Sequence, residues 1–360
     1  MKKLTLALLF LILLFTNNSL TAQTDTLLQT NDSAIRTVTI IGVGDMMLGT
    51  NYPSTKHLAP NDGANLLDSV RAILIDADIT FGNLEGTLAG TKGKVKRCRN
   101  PKLCYAFRSP SHYAKYYKDA GFDLVSIANN HSGDFGAEGR EITMKTLEEY
   151  GIQYAGLLSC PTTIIEKDGI KYGLAAFAPN SGTVSINDIE GAKEIVQGLD
   201  SLCDIVIVSF HGGGEGRSKQ HVTKETELFI GENRGNVYEF SHAVIDAGAD
   251  VVFGHGPHVT RAIELYNNHL ICYSLGNFAT YDRFSLTAES GVAPIVKVTT
   301  DTKGNFISAQ ITPIKQVGEG IPMVDREKQW ALKLIQSLTN EDLPETPLLI
   351  GDDGMVTKKQ

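Results

Sequence analysis

Seven residues could together build a reactive centre: Asp45, Glu85, Asn130, His131, His211, His255 and His258. Carboxylate, amide and imidazole groups form the donor set of a divalent transition-metal ion, and Mn, Fe and Zn fit such a mixture. Their placement says more than their types. Apolar runs at 37–43, 124–128, 205–210 and 251–254 end at or beside Asp45, Asn130-His131, His211 and His255, and the short run 79–81 breaks close to Glu85. In layered α/β proteins, side chains at the carboxyl ends of strands converge on one crevice although they are far apart in sequence. Taken singly, each residue has a plainer reading. Asp45 suits a turn or a helix cap, Glu85 a solvated loop, Asn130 a turn, and each histidine a satisfied structural position. The joint pattern is what carries the signal: three of the nine histidines directly follow strands, and His258 stands just beyond the third.

The elements needed to hold these residues can be read from periodicity. Helices are expected over 64–74, 111–120, 138–150, 192–202, 237–247 and 326–338. Hairpins are expected at 162–166 with 171–177, at 262–266 with 270–274, and at 293–299 with 306–314, with Asp168-Gly169 and Asn267-Asn268 turning the first two. Strands and helices alternate with hairpins interspersed, which predicts an α/β fold with mixed sheets. Continuous apolar strands such as 205–210 are expected to be covered on both faces. No internal repeat or low-complexity tract interrupts the pattern.

The 360 residues are 42% hydrophobic, ample for a large core, and carry a net charge of −8. An acidic balance argues against nucleic acid as a partner, despite a local basic patch at Lys92, Lys94, Lys96, Arg97 and Arg99. Lys2 and Lys3, the apolar run 4–15 and Thr21-Ala22-Gln23 read as a signal peptide over 1–22, cleaved after Ala22 and followed by a polar linker over 23–36. Loss of the two lysines would take the charge to −10. The mature chain would then be exported, to the periplasm or outside the cell, and an uncleaved N-terminal anchor is the alternative. Five cysteines leave an odd count. Cys98 and Cys104 flank a polar turn and could form a short disulfide loop in an oxidising compartment, while Cys160, Cys203 and Cys272 sit in apolar surroundings.

The blocks GVGDMMLG, GNLEGTL, IANNHSGDFG, FHGGGE, GHGPHV and YSLGNF, running in order from about Thr37 to Ile314, resemble the signature blocks of the CapA family of poly-γ-glutamate capsule synthesis, a relative of the calcineurin-like metallophosphoesterases. The resemblance implies a four-layer α-β-β-α sandwich over 37–320, followed by a C-terminal helix and tail over 321–360. It implies that Asp45 binds one metal, that Glu85 bridges two, and that Asn130, His211 and His255 bind the second. His258 would bind the first, and His131 would contact a phosphate and act as an acid. Three departures accompany it: Met47 stands where the wider superfamily has a histidine, the bridging carboxylate is a glutamate, and the last pair is His-x-x-His. One or two divalent ions are therefore expected. Arg108, Arg217 and Arg283 lie near the blocks and could bind substrate oxygens, though surface roles fit each equally well.

The implied activity is metal-assisted hydrolysis of a phosphate ester, or a step in the pathway of an anionic envelope polymer. The alternative is a non-hydrolytic, metal-containing binding or assembly component for such a polymer, with a membrane-associated envelope complex left open. The run His211-Gly212-Gly213-Gly214 also resembles the oxyanion loop of lipase-type hydrolases, but the chain has no Gly-x-Ser-x-Gly nucleophile elbow.

Overall fold

Strand β1 (Thr37–Met47) already contains the plan of the molecule. Val38 and Ile40 belong to one buried cluster and Ile41 and Val43 to another, so both faces of the strand are covered. The computed structural model describes residues 36–98 and 104–359. Residues 1–35, which include the expected signal peptide over 1–22 and nearly all of the expected linker over 23–36, lie outside these.

A ten-stranded mixed sheet contains β1, β2 (Ile79–Leu84), β3 (Leu124–Ser126) and β4 (Gln153–Ala155) in parallel order. A six-stranded sheet is built from β5 (Thr162–Lys167), β6 (Ile170–Phe177), β7 (Ile205–His211), β10 (Val251–His255), β11 (Ile263–Tyr266) and β12 (His269–Cys272). Between β7 and β10 a small hairpin, β8 (Leu228–Phe229) with β9 (Glu232–Asn233), stands apart from both sheets. The ten-stranded sheet is completed by β13 (Asn277–Thr280), β14 (Val292–Asp301), β15 (Phe306–Val317), β16 (Ile321–Val324), β17 (Leu348–Ile350) and β18 (Met355–Lys358).

The two sheets pack face to face. Ile40, Phe81 and Leu124 from one meet Leu174, Ile207 and Phe253 from the other, and the Phe81 and Phe253 rings stack at 5.6 Å. Helices α1 (Asp68–Leu74), α2 (Ala114–Asp119) and α3 (Gly136–Glu149) cover the outside of the ten-stranded sheet through Val70, Tyr117 and Leu147. Helices α4 (Ile189–Asp200) and α5 (Val237–Asp246) cover the six-stranded sheet through Val196 and Phe240. The α-β-β-α sandwich is thus formed as expected.

The chain departs from expectation at its C-terminus. Residues 321–360 are not an appendage, because the chain from Arg36 onward is one unit. Strand β16 pairs with β15, and the β17–β18 hairpin extends the same sheet by burying Leu348 and Val356. Helix α6 (Trp330–Asp342) sends Leu332 and Ile335 into the core between the sheets. The polar turn at 351–354 hides two short, alternating strands whose apolar content is too low to read as core. Two helices are also shorter than their apolar spacing predicts. The first starts only at Asp68, after left-handed Asn61 and Asp62, and the turn Ser111–Tyr113 is a 3-10 helix leading into α2.

Candidate metal centre

Glu85, His211 and His255 stand at strand ends, whereas Asn130 and His258 lie in the turns that follow β3 and β10. Asp45 lies inside β1 rather than after it, because β1 continues to Met47 by pairing with β2 and β13. Its backbone N–H donates to Gly276 O at 2.8 Å, a close approach that requires Gly44, where an added Cβ would meet the same carbonyl at 2.0 Å. Glu85 follows β2 directly, and His211 and His255 are the last residues of β7 and β10, paired in register.

Asp45, Glu85 and His211 are fully buried, and one donor atom from each lies within 4.8 Å of the others. Asn83 Nδ2 donates to Asp45 Oδ1 at 2.8 Å, and Asn129 Nδ2 donates to Asn83 Oδ1 at 3.0 Å, so a chain of amides fixes the first carboxylate. His258 Nδ1 lies 2.9 Å from Asp45 Oδ2 and its Nε2 lies 3.5 Å from Glu85 Oε1. The His258 backbone is left-handed, at φ 57°, and Asn277 holds it by donating to its carbonyl at 3.3 Å. His131 Nε2 is 3.8 Å from Glu85 Oε1, and its other nitrogen, Nδ1, is 2.8 Å from Asp134 Oδ2. A carboxylate only accepts, so Nδ1 carries the proton in that bond. Phe107 packs on the ring at 4.2 Å, and Lys96 pairs with the other Asp134 oxygen at 2.6 Å.

The electrostatics follow from this crowding. Burial, reinforced by the charge of Asp45, pushes the Glu85 carboxyl well above its ordinary range. Burial works the same way on Asp45, but the hydrogen bond and charge of His258 outweigh it and hold that carboxyl low. Burial, with Arg234 nearby, keeps His211 well below its ordinary value and hence neutral, the form that can ligate a metal. Burial opposes charge on His258 too, yet Glu85 and Asp45 push it up to about 10. Asp45, Glu85 and His258 thus surround a place where positive charge is strongly favoured, the place a divalent ion would take.

Both Glu85 oxygens, both His211 ring nitrogens and Asn130 Oδ1 are buried with no hydrogen-bond partner among the described residues. Buried polar atoms are rarely left in this state. A divalent cation fits the donor set: two carboxylates, an imidazole and, at the rim, an amide oxygen and a second imidazole. His255 behaves differently. Its Nε2 lies 3.1 Å from Val43 O and its Nδ1 lies 3.4 Å from Ser209 Oγ, so both nitrogens are engaged within the fold.

Above the cluster opens a cleft of about 590 Å³ whose lining includes Asn130, His131, Glu215, Arg234, His258 and Arg283. Of the three arginines named from sequence, only Arg283 is among its lining residues. Arg108 donates to Asn51 Oδ1 at 3.0 Å and sits over the Phe135 ring, and Arg217 pairs with Glu289 at 2.5 Å on the surface. Cys98 and Cys104 are joined in a disulfide, and Cys98 is among the residues that line the cleft. Sequence reading missed Asp134, Lys96, Glu215 and Arg234. The spacing of His131 and Asp134 in HSGD offered a signal for the first, and Glu215 closes the FHGGGE block, but Arg234 stands alone in a polar loop with no pattern around it.

A mixed-sheet sandwich with a buried cation-type cluster at its strand ends defines a narrow class of protein. The chain belongs to the bacterial capsule synthesis protein PGA_cap family, whose model matches residues 39–282. It is 27% identical over 277 residues to the capsule biosynthesis protein CapA of Bacillus anthracis, covering 71% of this chain and 62% of that one. To the PGA biosynthesis protein CapA of Bacillus subtilis it is 25% identical over 316 residues, covering 83% of this chain and 77% of that one. The chain therefore spans less than two thirds of the Bacillus anthracis relative. Among solved structures, the NAD nucleotidase of Haemophilus influenzae aligns with TM-score 0.41 and 13% identity over 84% of this chain and 63% of that one, and carries no residue roles.

Proposed function

We propose that the chain is an exported, metal-dependent phosphoesterase-like hydrolase acting in the pathway of an anionic envelope polymer, with poly-γ-glutamate the polymer its family points to. The observation that carries this reading is the buried Asp45–Glu85–His211 cluster, whose ligand atoms lie within 4.8 Å while those of Glu85 and His211 have no hydrogen-bond partner among the described residues. Asp45, Glu85 and His211 would hold a divalent ion (Mn, Fe or Zn), with His258 and Asn130 at its edge. Such an ion would supply Lewis acidity and neutralise charge developing on a phosphoryl oxygen.

The remaining steps belong to the chain's own residues. Asp134 accepts the Nδ1 proton of His131 and so fixes the ring with Nε2 toward Glu85 and the cleft. From there His131 can deliver a proton to a leaving oxygen. Phe107 covers one face of the ring and limits its rotation. Arg283 at the cleft wall supplies positive charge for substrate oxygens. Export rests on the Lys2-Lys3 and apolar pattern of residues 1–22.

A second reading, a binding or assembly component without turnover, has its own support. Met47 is buried with its sulfur 3.2 Å from the Gly49 amide, and His255 is engaged by Val43, so fewer ligands remain than a two-metal hydrolase uses. The deciding experiment is metal analysis of the purified protein together with turnover of p-nitrophenyl phosphate and its bis-ester in added Mn²⁺. Bound metal with metal-dependent turnover is expected, and the secreted chain should begin near Gln23. Metal without turnover would leave the binding reading, and a chain that takes up no metal would remove both.

A further inference from the structure

We infer that Arg234 binds an oxyanion in the cleft, so that the ligand carries two anionic groups, one for the metal centre and one for this guanidinium. The inference rests on the reading of the centre given above.

Arg234 is 1% exposed, yet its Nε and Nη2 have no hydrogen-bond acceptor among the described residues. Two carboxylates lie near it. Glu215 Oε1 is 3.1 Å from Nη2 without hydrogen-bond alignment, and the exposed Glu232 is 3.8 Å from Nη1. These offset its charge but leave its donors open. The guanidinium is not a loose surface group that happens to point inward. Its backbone N–H donates to Glu227 O at 2.8 Å, and its carbonyl accepts from Gly213 N at 2.8 Å, just beyond His211. The segment just beyond the strand end and the arginine are therefore held together by main-chain bonds, and the arginine lines the cleft.

A buried donor left without a partner is costly, and more so when charged. The arginine's planar fork matches a carboxylate or a phosphate in two parallel bonds. A neutral ligand could also accept from Nε and Nη2, but an oxyanion matches the fork with two oxygens at once and meets further positive charge in the cleft. Lys96 and Arg283 line the same cleft and add to its attraction for anions, and Asn180 Oδ1 remains as an acceptor for a ligand hydroxyl or amide.

The test uses phosphonates, which resist hydrolysis, and calorimetry on the full mature chain with and without Mn²⁺. Propylphosphonate offers one anionic group. Phosphonoacetate, 3-phosphonopropionate and 4-phosphonobutyrate add a carboxylate at increasing reach, and propane-1,3-diphosphonate adds a second phosphonate. The tightest doubly anionic probe should bind about 10–100-fold more strongly than propylphosphonate. Arg234→Met should erase that difference while leaving propylphosphonate within about twofold of wild type. Arg234→Lys, which keeps the charge and guards against misfolding, should retain part of it. Glu215→Gln removes a competing carboxylate and should tighten the doubly anionic probes alone. Whether the carboxylate or the phosphonate arm gains more identifies the source of the second anion. Equal affinity for singly and doubly anionic probes in the wild type would overturn the inference, as would an equal loss for both in Arg234→Met. Binding that ignores Mn²⁺ throughout would count against the metal centre, whereas the Arg234 dependence is read separately from the ratio of the two probe classes.

Discussion

Two buried charge clusters are joined by residues 211–214 and are finished in opposite ways. In the first, Arg261 donates to both Glu227 oxygens at 2.7 and 2.8 Å and from Nε to Lys219 O at 2.7 Å, and Gly214 N adds a bond to Glu227 at 2.9 Å. In the second, the ligand atoms of Glu85 and His211 have no hydrogen-bond partner among the described residues. Both clusters are shut away from solvent, so burial does not separate them. What separates them is satisfaction. The Arg261–Glu227 pair pins the long loop between β7 and α5 and needs nothing further. The carboxylate–histidine cluster is held just as firmly by its strands but is completed only by something that enters. In this pair of clusters, unpartnered buried donors and acceptors go with the candidate site and fully partnered ones with the frame around it.

The contrast is sharpest if the working site can be divided again, into residues that hold the ion and residues that handle protons. His211→Ala should empty or weaken the metal centre, read as metal per chain. His131→Ala should leave metal content nearly unchanged, because that ring is committed to Asp134 through Nδ1 and faces the cleft through Nε2. If the protein is an esterase, turnover in His131→Ala should fall by roughly 10²–10⁴, the usual range for losing general acid–base help. Loss of metal in His131→Ala would break the division.

The frame should respond in the other currency. Glu227→Gln leaves Arg261 buried without its counter-charge and should lower stability by about 3–5 kcal/mol, measured by urea unfolding. Metal content per folded chain should stay at the wild-type level. If the variant unfolds no more easily than wild type, the pair is not the pin that its geometry suggests. If it is stable but binds no metal, frame and site are not separable.

Much of this was legible in the sequence, for a physical reason. Strands buried on both faces are continuous apolar runs, so the ends of β7 and β10, and with them His211 and His255, could be placed to the residue. Glu85 was also placed, because Gly82 and Gly86 bracket it. What failed was whatever depends on a partner distant in the chain. Strands β17 and β18 look like a polar tail because each buries few side chains and is recruited by β15. Arg108 and Arg217 lie close to the motif blocks in sequence but are absorbed by Asn51 and Glu289. Arg234 has no neighbouring pattern and acquires a role only because residues 212–236 fold back over the strand ends.

His255 is where the resemblance and the geometry pull apart, and it calls for the finest measurement. It is as buried as His211 and stands opposite it in register, so position alone would give the two histidines the same role. Their surroundings differ. Val43 O and Ser209 Oγ occupy both His255 nitrogens, and the Val43 contact ties the six-stranded sheet to β1 next to Asp45. As a pin between the sheets, His255 would act on the centre only by keeping β1 in place. His255→Gln tests this closely, since a Gln Nε2 can still donate to Val43 O while the contact to Ser209 is lost. One buried hydrogen bond is worth about 0.5–1.5 kcal/mol, so a small drop in urea stability is expected. The stabilisation gained on adding Mn²⁺ should match wild type, because the cluster of Asp45, Glu85 and His211 is intact. A metal ligand would behave in the opposite way: the apo-protein would be little changed and the Mn²⁺-dependent gain would vanish, since an amide side chain is a poor substitute for imidazole. That outcome would mean that the His255 ring leaves Val43 when metal arrives, and the centre would then take a second histidine from the six-stranded sheet, as the family resemblance implies.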